Sequence, residues 1–317
     1  MQFRNLGPSG LRVSVVGLGC NNFGGRIDDA AAKAVIHKAF DVGITLFDTA
    51  DIYGTAGGSE TAMGGILGDR RKDIVLASKF CMPMDKAGKL QGASRRYIMT
   101  AVEASLKRLK TDYLDLYQLH RPDPLTPIEE TLRALDDLVR AGKVRYIGCS
   151  NLPGWQVVDA DWTARANGLS RFVSCQDEYS MLVRRHEREL FPAMQSKGMS
   201  LLPYFPLANG LLTGKYKRNA AMPAGARMTR EATRAGEVLT EQNWSIAEKL
   251  EDFAKGRGHS LLELAFSWLA SKPFIASVIA GATKPEQVEA NAKAAYWIMT
   301  PDDVAEADTI TAAKVAA

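Results

Sequence analysis

Four side chains capable of acid–base chemistry stand at or just beyond the ends of short apolar runs. Asp48 ends the run 44–47, and Tyr53 follows five residues later. Lys79 ends "DIVLASK", and His120 ends "YLDLYQLH". An ionised carboxylate is costly to bury without a partner, so Asp48 at the end of a core strand calls for a counter-charge. Lys79 is a candidate for that counter-charge.

These residue types together predict a tuned proton donor. A free tyrosine has a pKa of about 10, which is too high for easy proton exchange at neutral pH. A nearby ammonium lowers the pKa of a phenol, so Lys79 would activate Tyr53 while Asp48 keeps the ammonium charged. His120 could hold a substrate oxygen or assist the proton transfer. A carbonyl under reduction has an oxygen that gains negative charge, and its carbon then requires a hydride source.

Each residue also has a simpler interpretation. Tyr53 could cap a loop, and His120 could be a hydrogen-bonded histidine at a strand end. Lys79 could be a surface lysine, or a Schiff-base lysine as in barrel lyases. The Schiff-base alternative requires a neutral amine, whereas a carboxylate at Asp48 would hold the lysine charged. The coincidence of four such residues at strand ends favours one shared site.

The elements that must position these residues alternate between short β-branched runs and stretches of helical periodicity. We predict eight strands, at 13–19, 44–48, 73–79, 113–120, 144–150, 172–178, 200–206 and 276–281. Alternating strands and helices predict a parallel sheet with right-handed crossovers. Eight such units in about 300 residues favour an α/β fold of the closed (β/α)8 TIM-barrel type over an open doubly wound sheet.

The remaining segments predict a single domain over residues 1–317. An N-terminal β-hairpin turns at 7–10, before the first barrel strand, and no linker or repeat divides the chain. The polar stretch 209–240 follows the seventh strand, and a loop of that length is usually a lid or a binding loop.

Composition excludes several classes of partner. The chain has 46% hydrophobic and 24% charged residues with a net charge of +4, and no Lys/Arg run predicts nucleic-acid binding. No apolar run approaches a membrane span, and "MQFRNLGPSG" lacks the apolar core of a signal peptide, so we expect a cytoplasmic protein. The four scattered cysteines predict reduced thiols, and no second His or Cys has metal-ligand spacing to His120. We therefore expect no metal site.

Motifs along nearly the whole chain resemble the aldo-keto reductase family, in its long-loop branch. They are "GLG…FGG", "FDTADIYG…SE", "ASK", "LDLYQLH", "GCSN" and "GATKPEQVEAN", in that order. The resemblance implies a (β/α)8 barrel that binds a nicotinamide cofactor, usually NADPH, without a Rossmann fold. The sequence agrees, because "GLGCNNFGG" has Asn22 where the GxGxxG fingerprint needs its third glycine.

The resemblance implies functions for individual residues. Asp48, Tyr53, Lys79 and His120 match the family's catalytic tetrad, with Tyr53 as the general acid. The implied carboxamide contacts are Ser150, Asn151 and Gln176, and the implied ring-stacking residue is Tyr204. The remaining implied cofactor contacts are Gly19, Pro206, Leu207, Ala208, Gly210 and Lys215, then Gly281, Thr283, Lys284, Gln287 and Asn291.

The last of these segments also makes physical sense without the resemblance. Backbone N–H groups at a helix that opens at Pro285 suit an anion. Lys284 could neutralise a 2′-phosphate, which favours NADPH, although a solvated loop lysine is the simpler alternative. The family often has an acid where Ala290 stands, so NADH is an alternative cofactor.

The substrate is predicted only as a small-molecule carbonyl compound. Five residues near the expected barrel mouth suggest an apolar or aromatic-lined pocket, with ordinary loop packing as the alternative: Asn22, Phe23, Phe80, Met82 and Tyr179. Oligomeric state is left open, and Asp51 is expected to be a turn or capping residue.

A different functional class shares the pattern. The β-subunits of voltage-gated potassium channels resemble aldo-keto reductases but act largely as binding partners. They carry Asn at the position of His120, so the histidine here favours an active enzyme.

Overall fold

The computed structural model describes residues 1–314, which form ten β-strands around which helices are arranged. The strands are β1 (Phe3–Asn5), β2 (Arg12–Ser14), β3 (Val16–Gly19), β4 (Leu46–Asp48), β5 (Val75–Phe80), β6 (Leu114–Leu119), β7 (Val144–Ser150), β8 (Phe172–Gln176), β9 (Ser200–Leu201) and β10 (Val278–Gly281).

The α-helices alternate with these strands. They are α1 (Asp29–Asp41), α2 (Tyr53–Ile66), α3 (Arg95–Leu109), α4 (Ile128–Arg140), α5 (Gly154–Ala166), α6 (Leu190–Ser196), α7 (Arg227–Arg230), α8 (Ala232–Val238), α9 (Glu241–Gly256), α10 (Leu261–Ala270), α11 (Pro285–Ala294) and α12 (Pro301–Ile310). Short 3₁₀ helices cover Gly68–Asp73, Arg185–Glu187, Ala208–Thr213 and Ala312–Lys314.

Eight strands form one parallel sheet in the order β10-β3-β4-β5-β6-β7-β8-β9. The two ends of this sheet meet, because Leu201 N–H donates to the Phe274 carbonyl at 2.8 Å and Ala276 N–H donates to the Leu201 carbonyl at 3.1 Å. The sheet therefore closes on itself, and the predicted (β/α)8 barrel is confirmed.

The predicted N-terminal hairpin is also confirmed. Strands β1 and β2 pair antiparallel, with Phe3 opposite Ser14. The hairpin covers the amino-terminal end of the barrel, where Leu6 and Val13 pack into the barrel interior with residues such as Leu46 and Leu116. Gly7 at the turn has φ +55°, and an added Cβ would lie 2.0 Å from the Val173 carbonyl oxygen. Only glycine permits this approach of hairpin to barrel.

Two strand predictions differ from the structure. The predicted strand 13–19 is divided at Val15, because its first part pairs within the hairpin and its second part within the barrel. The predicted strand 200–206 is regular only over Ser200–Leu201. Beyond it, isolated backbone bonds continue to Tyr204, whose N–H donates to the Asp177 carbonyl at 3.1 Å. The regular ladder is interrupted because Pro203 has no N–H to donate, and the extended chain ends at Phe205, which adopts φ 51°.

The outer helices cover the sheet with amphipathic faces. In α4 the buried side chains Leu132, Leu135 and Leu138 face inward, while Glu129 and Arg133 form an exposed ion pair on the opposite face. This is the spacing expected of a helix that covers a sheet. Within residues 1–314, no helix is long and apolar enough to cross a membrane.

The stretch 209–240 is structured rather than an open loop. It contains all but the first residue of the 3₁₀ helix Ala208–Thr213, followed by the short helices α7 and α8. Met228 is buried, and its N–H donates to the Tyr216 hydroxyl at 3.3 Å. The segment is therefore anchored by its own buried residues beside the barrel mouth.

Candidate active site

The ends of β4 and β5 bring Asp48 and Lys79 together. The Lys79 ammonium donates to Asp48 Oδ2 at 2.7 Å and to the Thr49 carbonyl at 2.8 Å. Burial lowers the pKa of Lys79, but the charge of Asp48 and the contact with Tyr53 outweigh it, so the net pKa is raised. The ammonium is therefore charged at neutral pH, which disfavours the Schiff-base alternative.

The second oxygen of Asp48 is held by two side-chain amides from β6 and β8, across the barrel interior. Gln176 Nε2 donates to Asp48 Oδ1 at 2.9 Å, and Gln118 Nε2 donates to it at 3.3 Å. These bonds and the ion pair compensate the cost of burying the carboxylate.

Tyr53 begins α2 and projects its hydroxyl toward Lys79. The phenolic oxygen lies 3.5 Å from Lys79 Nζ, and the Tyr53 and His120 rings meet edge to face at 5.7 Å between centroids. Left-handed residues follow, and Gly54 has φ +64° with an added Cβ only 2.1 Å from the Phe23 carbonyl oxygen. The glycine after Tyr53 is therefore required for the turn that places the phenol.

The protonation states follow from burial. Desolvation raises the pKa of the Tyr53 phenol, Lys79 lowers it and Asp48 raises it again, with a net increase. Lys79 acts in the direction expected from sequence, but the net direction is the opposite, because desolvation of the phenolate outweighs the ammonium. Burial, and then the charges of Lys79 and Arg121, lower the pKa of His120 to about 3. At neutral pH the phenol thus retains its proton and the imidazole is uncharged.

A hydrogen-bond network joins the ends of β6, β7 and β8 to Tyr204, three residues beyond β9. Asn151 adopts φ 61°, and its amide nitrogen donates to the His120 carbonyl at 3.0 Å and to Ser150 Oγ at 2.9 Å. The Tyr204 hydroxyl donates to Asn151 Oδ1 at 2.8 Å, and Ser150 Oγ donates to the Gln176 carbonyl at 2.7 Å. The network fixes polar groups on one side of the barrel mouth.

A cavity of about 390 Å³ opens at this end of the barrel, and Asp48, Tyr53 and His120 line it. Its volume is in the range of small-molecule and cofactor sites. Three cations also line it, namely Arg26, Lys215 and Arg227. Residues 1–314 contain no group of three or more His, Cys, Asp or Glu side chains placed to hold a metal ion.

Comparison with known proteins agrees with this architecture. The model of the Aldo/keto reductase family matches residues 15–312. The chain belongs to the aldo/keto reductase family.

The names of individual relatives fall into two functional classes, channel subunits and oxidoreductases. A probable voltage-gated potassium channel subunit beta from Oryza sativa subsp. japonica is 36% identical, over 99% of this chain and 98% of the relative. An uncharacterized oxidoreductase, YrpG, from Bacillus subtilis is 38% identical, over 93% and 91%. An L-glyceraldehyde 3-phosphate reductase from Escherichia coli is 34% identical, over 93% and 87%. The reductases among these relatives support an oxidoreductase activity in this aldo/keto reductase.

The cavity wall suits a dinucleotide of the kind this family binds. Lys215 has a lowered pKa, first because it is buried and then because Arg26 and Arg227 repel its charge. Three mutually repelling cations in one cavity favour an anion such as a pyrophosphate. Between the ends of β3 and β10, an added Cβ at Gly19 would lie 3.3 Å from the Gly281 nitrogen, so this wall is bare backbone.

Most residues predicted to bind the cofactor line this cavity. They are Gly19, Ser150, Asn151, Gln176, Tyr204, Pro206, Leu207, Gly210, Lys215, Gly281, Thr283, Gln287 and Asn291. Ala208 is buried beside the wall, and Lys284 is exposed as the N-cap residue of α11. Both lie outside the cavity lining.

Only one of the five predicted substrate residues lies on the cavity wall. Asn22 lines the cavity, whereas Phe23, Phe80 and Tyr179 are fully buried in the hydrophobic core and Met82 is half-buried outside the wall. Phe80 packs on Tyr117, with 4.8 Å between ring centroids. Phe80 follows Lys79 on β5 and therefore points to the opposite face of the sheet. The structure thus assigns these aromatic residues to packing.

Two arginines that line the cavity were not predicted from the sequence. Arg26 follows "FGG" after β3, and Arg227 begins α7 in the stretch whose conformation the sequence left unpredicted. The Arg227 guanidinium lies 5.1 Å from the centroid of the Phe205 ring, and Phe205 is itself turned by its positive φ. Their basic character alone was the available signal, and it did not distinguish them from solvated arginines.

Proposed function

We propose that the protein is an NADPH-dependent reductase that converts aldehydes or ketones to alcohols. The observation that carries the proposal is the position of the Tyr53 hydroxyl, 3.5 Å from the buried Lys79 ammonium and on the wall of the cavity that His120 also lines. A protonated phenol beside a fixed positive charge is suited to donate a proton to an oxygen that becomes negative.

The residues act on the carbonyl oxygen. The substrate oxygen binds between the Tyr53 hydroxyl and the imidazole of His120. A nicotinamide cofactor, when bound, would be the source of the hydride for the carbonyl carbon. As the C=O π electrons move to oxygen, Tyr53 donates its proton to that oxygen and becomes a phenolate. The adjacent Lys79 ammonium stabilises the phenolate, and Asp48 holds the ammonium in place.

His120 acts as an uncharged hydrogen-bonding group in this scheme. Since its pKa is lowered to about 3, it supplies no proton of its own at neutral pH. It orients the substrate oxygen toward Tyr53. Of the two functions predicted from sequence, holding the oxygen or assisting the proton transfer, the first agrees with an uncharged imidazole.

The cofactor would be held at three places. Ser150, Asn151 and Gln176 would bind the carboxamide, and the Tyr204 ring would stack on the nicotinamide. Lys215, with Arg227, would neutralise the pyrophosphate. Lys284 at the N-terminus of α11 would contact the 2′-phosphate and favour NADPH, with NADH as the alternative cofactor.

A second candidate is a cofactor-binding partner of a membrane channel, because relatives carry potassium channel β-subunit names. The histidine at His120 favours the enzyme. A cytoplasmic location agrees with the cysteines, which in the described part of the chain are all free thiols.

A panel of aldehydes and ketones assayed by the loss of NADPH absorbance tests the reductase. Turnover of at least one carbonyl class supports the proposal. Tight NADPH binding without turnover of any of them would favour the binding-partner function instead.

A further inference from the structure

One buried acid near the site takes no part in the proposed reaction. Asp51 lies in the turn between β4 and α2, only 1% exposed and outside the cavity wall. Its Oδ2 accepts a hydrogen bond from the Tyr97 hydroxyl at 3.4 Å. Its Oδ1 is buried and finds no hydrogen-bond partner among residues 1–314. A half-satisfied buried carboxylate is costly when ionised.

The surroundings of Asp51 favour its neutral form. The titratable and charged groups that face it come from α2, α3, β6 and the residue after β5: Glu60, Tyr97, Arg108, Tyr117 and Cys81.

Only one of these groups is a cation, and it is already paired. Arg108 Nε donates to the fully buried Glu60 at 2.7 Å. An ionised Asp51 would place a second negative charge beside Glu60. Burial first, and then Glu60, raise the pKa of Asp51 to about 7.

Asp51 is mechanically linked to the proton donor. Its N–H donates to the Lys79 carbonyl at 3.1 Å, and the Thr49 carbonyl accepts from the Lys79 ammonium at 2.8 Å. The Tyr53 N–H donates to the Ala50 carbonyl at 3.2 Å. The backbone of the segment 49–53 is thus bound to Lys79 at Thr49 and at Asp51, and the segment ends at the catalytic phenol.

We propose that Asp51 is a positioning residue that must be protonated for the segment 49–53 to hold Tyr53 in its working position. Ionisation of Asp51 drives the unpaired carboxylate toward water or away from Glu60, and the segment moves with it. The consequence is a loss of turnover as pH rises through the neutral range. This regulation rests on the proposed reductase function.

The test is the pH profile of kcat with NADPH and a carbonyl substrate from pH 5.5 to 9.5. Asp51→Asn has the same shape and stays neutral at every pH, so it should lack the loss near neutrality that the wild type shows. Because small misplacements of a catalytic group are costly, we expect that loss to be on the order of tenfold. Asp41→Asn, at an exposed site on α1, is the matched control and should keep the wild-type profile.

Tyr97→Phe supplies a second, directional test. It removes the hydrogen bond that favours the carboxylate, so the loss of kcat should move to higher pH. A merely structural role for these residues would lower kcat equally at all pH values. If the pH profile of Asp51→Asn kept the wild-type loss of kcat near neutral pH, the proposal would be overturned and the reductase function would remain intact.

A wild type inactive toward every carbonyl would contradict the reductase function. The pH dependence of Tm then tests Asp51 separately. The Tm of Asp51→Asn should rise relative to wild type between pH 5 and pH 8, because only the wild type acquires a buried charge. A constant Tm difference across this range would overturn the proposal.

Discussion

Lys79 and Asp48 form an ion pair within the barrel, with 2.7 Å between Nζ and Oδ2 and the lysine side chain fully buried. Each charge would be costly alone, so the pair is maintained only with both partners and with the amides of Gln118 and Gln176 in place. The pair fixes a positive charge beneath Tyr53 without a mobile counter-ion.

Replacing the proton donor should abolish reduction. In Tyr53→Phe we expect at least about a hundredfold lower kcat, because general-acid catalysis contributes 10²–10⁴-fold. NADPH binding, followed by fluorescence titration, should persist, since the ring remains. Full turnover in this variant would remove Tyr53 from the reaction.

Breaking the buried pair should destabilise the fold as well as the site. Asp48→Asn leaves the Lys79 ammonium buried without its counter-charge, and we expect a loss of about 3–5 kcal/mol in the free energy of unfolding. Urea denaturation measures it. Glu129→Gln is the control, because it breaks the exposed pair with Arg133 and should cost no more than about 0.5 kcal/mol. Equal losses in the two variants would contradict the importance of burial.

The proposed contributions of Lys284 and Arg227 to cofactor binding should be separable by the choice of nucleotide. Lys284→Met should weaken NADPH binding by about tenfold and leave NADH binding almost unchanged, since a charge-assisted contact to the 2′-phosphate is lost. Arg227→Met should weaken both nucleotides, because both carry the pyrophosphate. Dissociation constants from fluorescence quenching measure these changes. An equal loss of affinity for both nucleotides in Lys284→Met would exclude the 2′-phosphate contact.

A second buried acid should make stability depend on pH. Both oxygens of Asp177 lack hydrogen-bond partners within the described chain, and burial raises its pKa to about 7. A raised carboxyl pKa costs stability above the unfolded-state value, so the cost grows from about pH 4 to pH 7 and is then constant. Asp177→Asn should therefore match the wild type near pH 4 and exceed it at pH 8, by at most about 4 kcal/mol. Urea denaturation at both pH values measures the difference, and a variant less stable at pH 8 would show that Asp177 has an ionic partner.

The barrel and the strand-end positions of the polar residues could be predicted from sequence. Short β-branched runs that alternate with amphipathic helices allow few topologies, and parallel strands in a barrel place their carboxyl ends at one mouth. Asp48, Lys79 and His120 therefore had to converge. The family motifs added Tyr204 and the segment from Gly281 to Asn291, which also reach the cavity.

Other features depended on the tertiary structure, because they arise from residues distant in the chain. Phe80 and Tyr179 occupy the core because their side chains point away from the cavity. Arg26 and Arg227 share one cavity wall only because the stretch 209–240 folds beside the barrel mouth. The net pKa of Tyr53 likewise depends on desolvation by the whole barrel. Local sequence determined which groups stand at the strand ends, and three-dimensional burial decided which of them face the cavity and hold a proton.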